Sequence, residues 1–251
     1  MAIDLIAKPD ERNDPPRPLL EHLLALRDTL VFAAVSWACG VVVAGIFAPN
    51  ILDLLKAPAA QFKDLLQVVG MTAPFDVWMS IAAWGGTVIS FPLVAFALLR
   101  FVFPALTNRE KLIILSGITF GTTLFLIGAV LAYEKTLPLV VVAFRQIGKW
   151  MGIEQQIITI DTYVPIVLKL IVAFGRVFQM PLIIFVLGCF GMVTSKALRE
   201  KRRIAIVIAF VLSMFLTPPD PMSQLMMAVP LCVLYEISIW AVWLKEKGRR
   251  E

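Results

Sequence analysis

The chain has 251 residues, 59% of them apolar and 16% charged, with a mean hydropathy of +0.85 and a formal net charge of +5. A water-soluble globule is excluded, because its apolar share sits nearer half and its charged share nearer a quarter; disorder is excluded because it needs low hydropathy and high charge. What remains is a polytopic, all-α membrane protein.

The chain opens with a charged stretch, residues 1–28, that holds Asp4, Lys8, Asp10, Glu11, Arg12, Asp14 and Arg17 and has no apolar core of the kind that marks a cleavable signal peptide. Apolar runs follow that approach the roughly 20 residues needed to cross the hydrocarbon layer. They cover residues 29–48, ending at Pro49; 77–99, with Pro92 inside; 112–133; 164–193, interrupted by Lys169, Arg176, Gln179 and Pro181; 204–216; and 223–244, broken by Pro230 and carrying Glu236. The reading is six spans, closed by a basic tail at 245–251.

Six crossings place both termini on one side. With that side inside, the cytoplasmic segments hold 16 Lys and Arg, the opposite segments hold 5, and Lys169 and Arg176 lie within the fourth run. The bias predicts cytoplasmic termini. It also accounts for the positive charge without nucleic acid, since basic residues beside spans suit an anionic leaflet. The fifth run is too short: its 13 residues reach only about 20 Å at 1.5 Å per residue. A recessed hairpin around residues 217–222, or a locally thinned bilayer, is expected there.

Ionisable groups deep in a span are costly and should face protein or a watery cavity. Lys169 and Arg176 are two helical turns apart, with Gln179 three residues further, so the fourth span carries a polar stripe. Pro181 bends the helix beside it. Arg176, Gln179 and Glu236 are therefore candidates for an intramembrane polar groove that receives a polar ligand; the alternative is a structural bridge, with Glu236, or a carbonyl freed by Pro181, as the partner expected for Arg176. Lys169 either lines the groove or snorkels outward. Soluble chemistry is missing. No phosphate-cradling loop is present, and one histidine, His22, cannot assemble a metal site. Cys39, Cys189 and Cys232 are scattered in apolar runs and read as small core residues. No cofactor and no enzymatic activity are expected.

The segment Pro18-Leu19-Leu20-Glu21-His22-Leu23-Leu24-Ala25-Leu26-Arg27-Asp28 resembles the opening of the TatC family, the polytopic core of the Sec-independent, twin-arginine protein translocase. Phe101, Pro104, Ala105, Leu106, Arg109 and Glu110 resemble its first cytoplasmic loop. Phe174, Gly175, Phe178 and Pro181 resemble its fourth span, and Leu216-Thr217-Pro218-Pro219-Asp220, with Ser223 and Gln224, its last hairpin.

The resemblance implies a receptor in the bacterial inner membrane that binds the twin-arginine signal peptide of folded cargo. It also implies self-association, assembly with the single-span subunits TatA and TatB, and export driven by the proton gradient. The signal-binding residues it implies are Glu110, Arg27, Leu106 and Phe101, to which helical spacing adds Glu21 as a candidate, and the partner-docking residues it implies are Thr217, Gln224 and Asp220. Two positions depart from the family pattern: Ala25 stands where a second acidic group is usual, with Glu21 one turn back as its replacement, and Gln179 stands where Glu is frequent. The competing reading is a secondary transporter that uses Lys169, Arg176 and Glu236 for an anionic solute.

Overall fold

The computed structural model describes residues 19–57, 66–102, 110–153, 158–217 and 221–248. Helix α1 (Leu19–Ile46) runs through the first apolar stretch, begins well before residue 29, and gives way at Phe47 to a short amphipathic helix, α2 (Ala48–Lys56). Pro49 sits in the first turn of α2, where its missing N–H has no partner to lose. Helix α2 turns Ala48 and Leu55 inward, and its last carbonyls are claimed from afar. Tyr163 donates to the Leu55 carbonyl at 3.0 Å, an acceptor that a helix end leaves orphaned, and Tyr133 donates at 2.6 Å to the Leu54 carbonyl, which also accepts from the Ala57 N–H.

Helices α3 (Ala73–Ser80) and α4 (Gly86–Val102) form one rod through a π turn at Ile81–Gly85. Helices α5 (Glu110–Leu131) and α6 (Leu137–Trp150) do the same through a π turn at Ala132–Thr136. The second rod continues well past residue 133, where the apolar run ends. Glu134 and Lys135 fall in the π turn, and Pro138 falls in the first turn of the new helical segment, where its missing N–H is tolerated. One element departs from the all-α expectation. Strand β1 (Leu66–Gln67) pairs in parallel with β2 (Ile158–Thr159), Leu66 opposite Ile158, and stitches the segment after α2 to the start of the next helix.

That helix, α7 (Ile160–Val177), and α8 (Met180–Cys189) are the two halves of the fourth run, separated by a turn at Phe178–Gln179. The break follows from Pro181, which offers no N–H to the Val177 carbonyl. A short α9 (Ser195–Glu200), α10 (Arg202–Leu216) and the long α11 (Pro221–Gly248) complete the chain.

Among the described residues, five helical rods are long and apolar enough to cross a membrane: Leu23–Ile46, Ala73–Phe101, Gly117–Trp150, Ile160–Cys189 and Pro221–Lys247. Helix α10, the counterpart of the fifth predicted span, has 15 residues and reaches only about 22 Å.

The centre of the molecule is α7. Val164, Val167, Leu168, Leu170 and Phe174 are buried against Val77 and Ile81 of the α3–α4 rod, Leu137 of α6, and Met227 and Leu231 of α11. Helix α1 packs on α4, α5 on α7, and α11 on both α8 and α10. At the α1–α4 crossing the backbones nearly touch: a Cβ built on Gly40 would lie 2.6 Å from the Gly86 carbonyl oxygen, and one on Gly86 would lie 2.6 Å from the Val41 nitrogen. The outward surface is broadly apolar, as a lipid-facing surface must be, and includes Leu30, Val42, Leu126, Val207 and Val233. Cys39, expected in the core, is exposed on α1, while Cys189 and Cys232 are half-buried.

Candidate functional site

Two acidic positions mark one end of the bundle. Glu21 falls in the first turn of α1 and Glu110 is the first residue of α5. The close approach of Gly40 and Gly86 brings these elements level. Helix α4 ends at Val102, sixteen residues beyond Gly86, and sixteen residues before Gly40 is Leu24, so the start of α1 and the end of α4 lie together. Helix α5 packs on α4 and starts at the same end. A carboxylate in the first turn of a helix complements the positive end of the helix dipole, which suits both positions.

Of the other residues expected at this end, Ala25 is exposed, and Arg27 is exposed with its guanidinium engaged by Asp28 at 2.8 Å. That pair is two-thirds exposed on both sides and adds little to stability. Phe101 is half-buried at the end of α4. Leu106 lies outside the described residues.

The fourth-span stripe divides. Lys169 and Arg176 are exposed on the outer face of α7, and no acidic group pairs with either among the described residues. Gln179 turns inward, where its amide donates to the Gly121 carbonyl on α5 at 2.8 Å. It joins two helices rather than lining a charged groove with Arg176.

The expected Arg176–Glu236 pair does not form. Glu236 accepts from Arg202 at 2.7 Å instead, with the two side chains 48% and 42% exposed on the arginine and glutamate sides. The cause is helical register: α10 and α11 are antiparallel about residue 219, and Arg202 precedes that point by as many residues as Glu236 follows it. Glu236 therefore sits level with the basic start of α10. That equal spacing was the signal in the sequence from which the pair could have been read.

At the other end of this hairpin, the expected docking residues bond within it. The Thr217 hydroxyl, buried, donates to the Ser213 carbonyl at 2.8 Å, and the Gln224 amide donates to the Phe210 carbonyl at 3.2 Å. Asp220 lies outside the described residues. Exposed Met214, Phe215, Met222 and Leu225 surround this polar pair. Sequence reading also missed Ser195, whose N–H and hydroxyl both donate to the Glu246 carboxylate, at 2.9 and 2.5 Å, fastening α9 to the end of α11. Among the described residues no group of His, Cys, Asp and Glu is arranged to hold a metal ion.

The sequence and the fold have relatives. The family model described as "Sec-independent protein translocase protein (TatC)" matches residues 21–230. The Sec-independent protein translocase protein TatC of Aquifex aeolicus is 33% identical over 236 residues, covering 93% of this chain and 98% of that protein. The TatCy protein of Bacillus subtilis is 33% identical, covering 88% and 87%. A crystal structure described as the twin arginine translocase receptor TatC superposes with a TM-score of 0.77 at 33% identity, covering 89% of this chain and 98% of that one.

Proposed function

The chain belongs to the TatC family of Sec-independent protein translocase components, and from that premise we propose that it is the receptor that binds the twin-arginine signal peptide of folded cargo in the bacterial inner membrane. It is a multi-pass membrane protein. In the proposed topology α10 is a sixth, short crossing and both termini are cytoplasmic. The protein works by binding and assembly rather than by catalysis.

The observation that carries the reading is the presence of two acidic positions, Glu21 and Glu110, at one end of the bundle, on α1 and α5, which both pack on α4. Guanidinium groups make bidentate, charge-assisted bonds to carboxylates that neutral partners do not match. Glu110 binds one arginine of the pair, and Glu21 takes the place of the acidic group absent at Ala25. Phe101 and Leu106 form the apolar rim for the rest of the signal, and Arg27, held by Asp28, orders the α1 side of the site. TatA and TatB dock on the α10–α11 hairpin around Thr217, Asp220 and Gln224, against the exposed apolar side chains there. Copies of the chain associate, and the proton gradient drives transport.

The secondary-transporter reading loses its basis, because Glu236 is spoken for by Arg202 while Lys169 and Arg176 face outward. The test is binding of a labelled twin-arginine peptide to the purified chain. A twin-lysine peptide should bind much more weakly, and Glu110→Gln should weaken the twin-arginine peptide about 10- to 100-fold, the worth of a hydrogen bond to a charged group. Equal binding of the two peptides, or an unaffected Glu110→Gln variant, refutes the proposal.

A further inference from the structure

At the end of α11 that follows Glu236, a cavity of about 340 Å³ opens between α9 and α11, lined by Ser195, Lys196, Arg199, Trp243, Glu246 and Lys247. Its one acid is already satisfied, since both carboxylate oxygens of Glu246 accept from Ser195. Three cations remain, Lys196, Arg199 and Lys247, all exposed and none ion-paired among the described residues. The Lys247 ammonium lies 5.9 Å from the centre of the Trp243 ring, which holds it over the cavity by a cation–π contact.

The cavity is not purely a polar surface. The Trp243 ring meets Trp240 edge-on with centroids 6.1 Å apart, and Trp240 and Leu244 are 59% and 61% exposed. A cationic cavity thus continues into an apolar strip along a spanning helix. The strip carries two tryptophans, the residue type that settles at the boundary between headgroups and hydrocarbon.

We propose that this cavity holds the phosphate headgroup of an anionic phospholipid, with an acyl chain laid over Trp240 and Leu244. The three cations hold the phosphodiester anion, and Glu246 is kept out of competition by its bonds to Ser195. The site lies on the surface assigned to the cytoplasm and is independent of signal-peptide recognition. It fixes α9, the element between the fourth span and the last hairpin, against the leaflet surface.

Native mass spectrometry of the delipidated chain, incubated with equal amounts of phosphatidylglycerol and phosphatidylcholine, reads the site directly. The expected result is preferential retention of phosphatidylglycerol. Retention should fall about fivefold for each of Lys196→Gln, Arg199→Gln and Lys247→Gln, the usual contribution of one cation at an anionic surface, and remain unchanged in Lys149→Gln. Trp240→Ala should lower it as well. The three cations are at exposed positions, so each single variant is expected to fold and to carry the comparison by itself. Equal retention of the two lipids, or variants that bind as the parent does, overturns the proposal. So does displacement by soluble glycerophosphate at concentrations equal to the lipid, which would assign the cavity to a free phosphate compound.

Discussion

Substituting Gly86 by Ala tests the close crossing of α1 and α4. The added Cβ would sit 2.6 Å from the Val41 nitrogen and 2.7 Å from its Cα, both backbone atoms that no rotamer change can move. Ordinary contact begins near 3.4 Å, so the helices must part by about 0.8 Å along a seam packed to native density. Overpacking of this kind costs about 3 kcal/mol at the upper end of its range. Alanine returns about 1 kcal/mol of helix propensity, leaving a net loss of about 2 kcal/mol. For a chain of this size that corresponds to a fall of about 4–8 °C in Tm. Thermal unfolding of the detergent-purified protein, followed by a thiol-reactive dye or loss of the monomer peak, measures it. Gly117→Ala is the matched control, because its Cβ would meet only Leu99 Cδ1 at 3.5 Å and should leave Tm unchanged or slightly higher. The reasoning is refuted if Gly86→Ala melts with, or above, the parent.

A double-mutant cycle on Arg202→Ala and Glu236→Ala should show coupling of at most about 1 kcal/mol, as expected of a half-exposed pair; the same cycle on Arg176 and Glu236 should be additive. Tyr163→Phe removes the donor to the Leu55 carbonyl in a buried bond and should cost about 1–3 kcal/mol in thermal unfolding, while Tyr133→Phe should cost less, about 0.5–1.5 kcal/mol, because the Leu54 carbonyl keeps its bond from the Ala57 N–H. Gln179→Leu removes the amide bond to the Gly121 carbonyl and should cost about 0.6–1.7 kcal/mol, the range for a polar contact between spanning helices; a larger loss would mean that Gln179 does more than join α5 to α7. In the peptide-binding assay, Glu21→Gln should weaken the twin-arginine peptide further in the Glu110→Gln background, and an unchanged affinity would leave a single-carboxylate site.

Much of the fold was legible because a lipid solvent enforces simple rules: long uncharged runs become helices, and Pro49 and Pro181 mark where they end or bend. The shortness of α10 could be read from residue counting alone. What escaped was set by tertiary context. The rod from α5 to α6 passes through Glu134 and Lys135 because a π turn accommodates them, and no periodicity in the sequence announces that turn. The pairing of β1 with β2 joins two-residue segments some ninety positions apart, too short for any pattern. Arg176 was matched to Glu236 on chemistry alone, whereas the hairpin register brings Arg202 there first. At the candidate site the acidic positions were readable from the family resemblance, but that both fall at one end of the bundle came only from the packing of α1 and α5 on α4.

The Gly40–Gly86 seam makes α1 and α4 a single lever. Two rods joined backbone to backbone cannot slide past each other without opening that joint, so a tug on one is felt by the other. Positions 21 and 110 fall at the same end of this lever, one on α1 itself and one just beyond α4. Cargo that grips both would thus pull on a stiff beam reaching through the membrane, and the strain would emerge on the opposite face, where the two tyrosine tethers hold α2 in place.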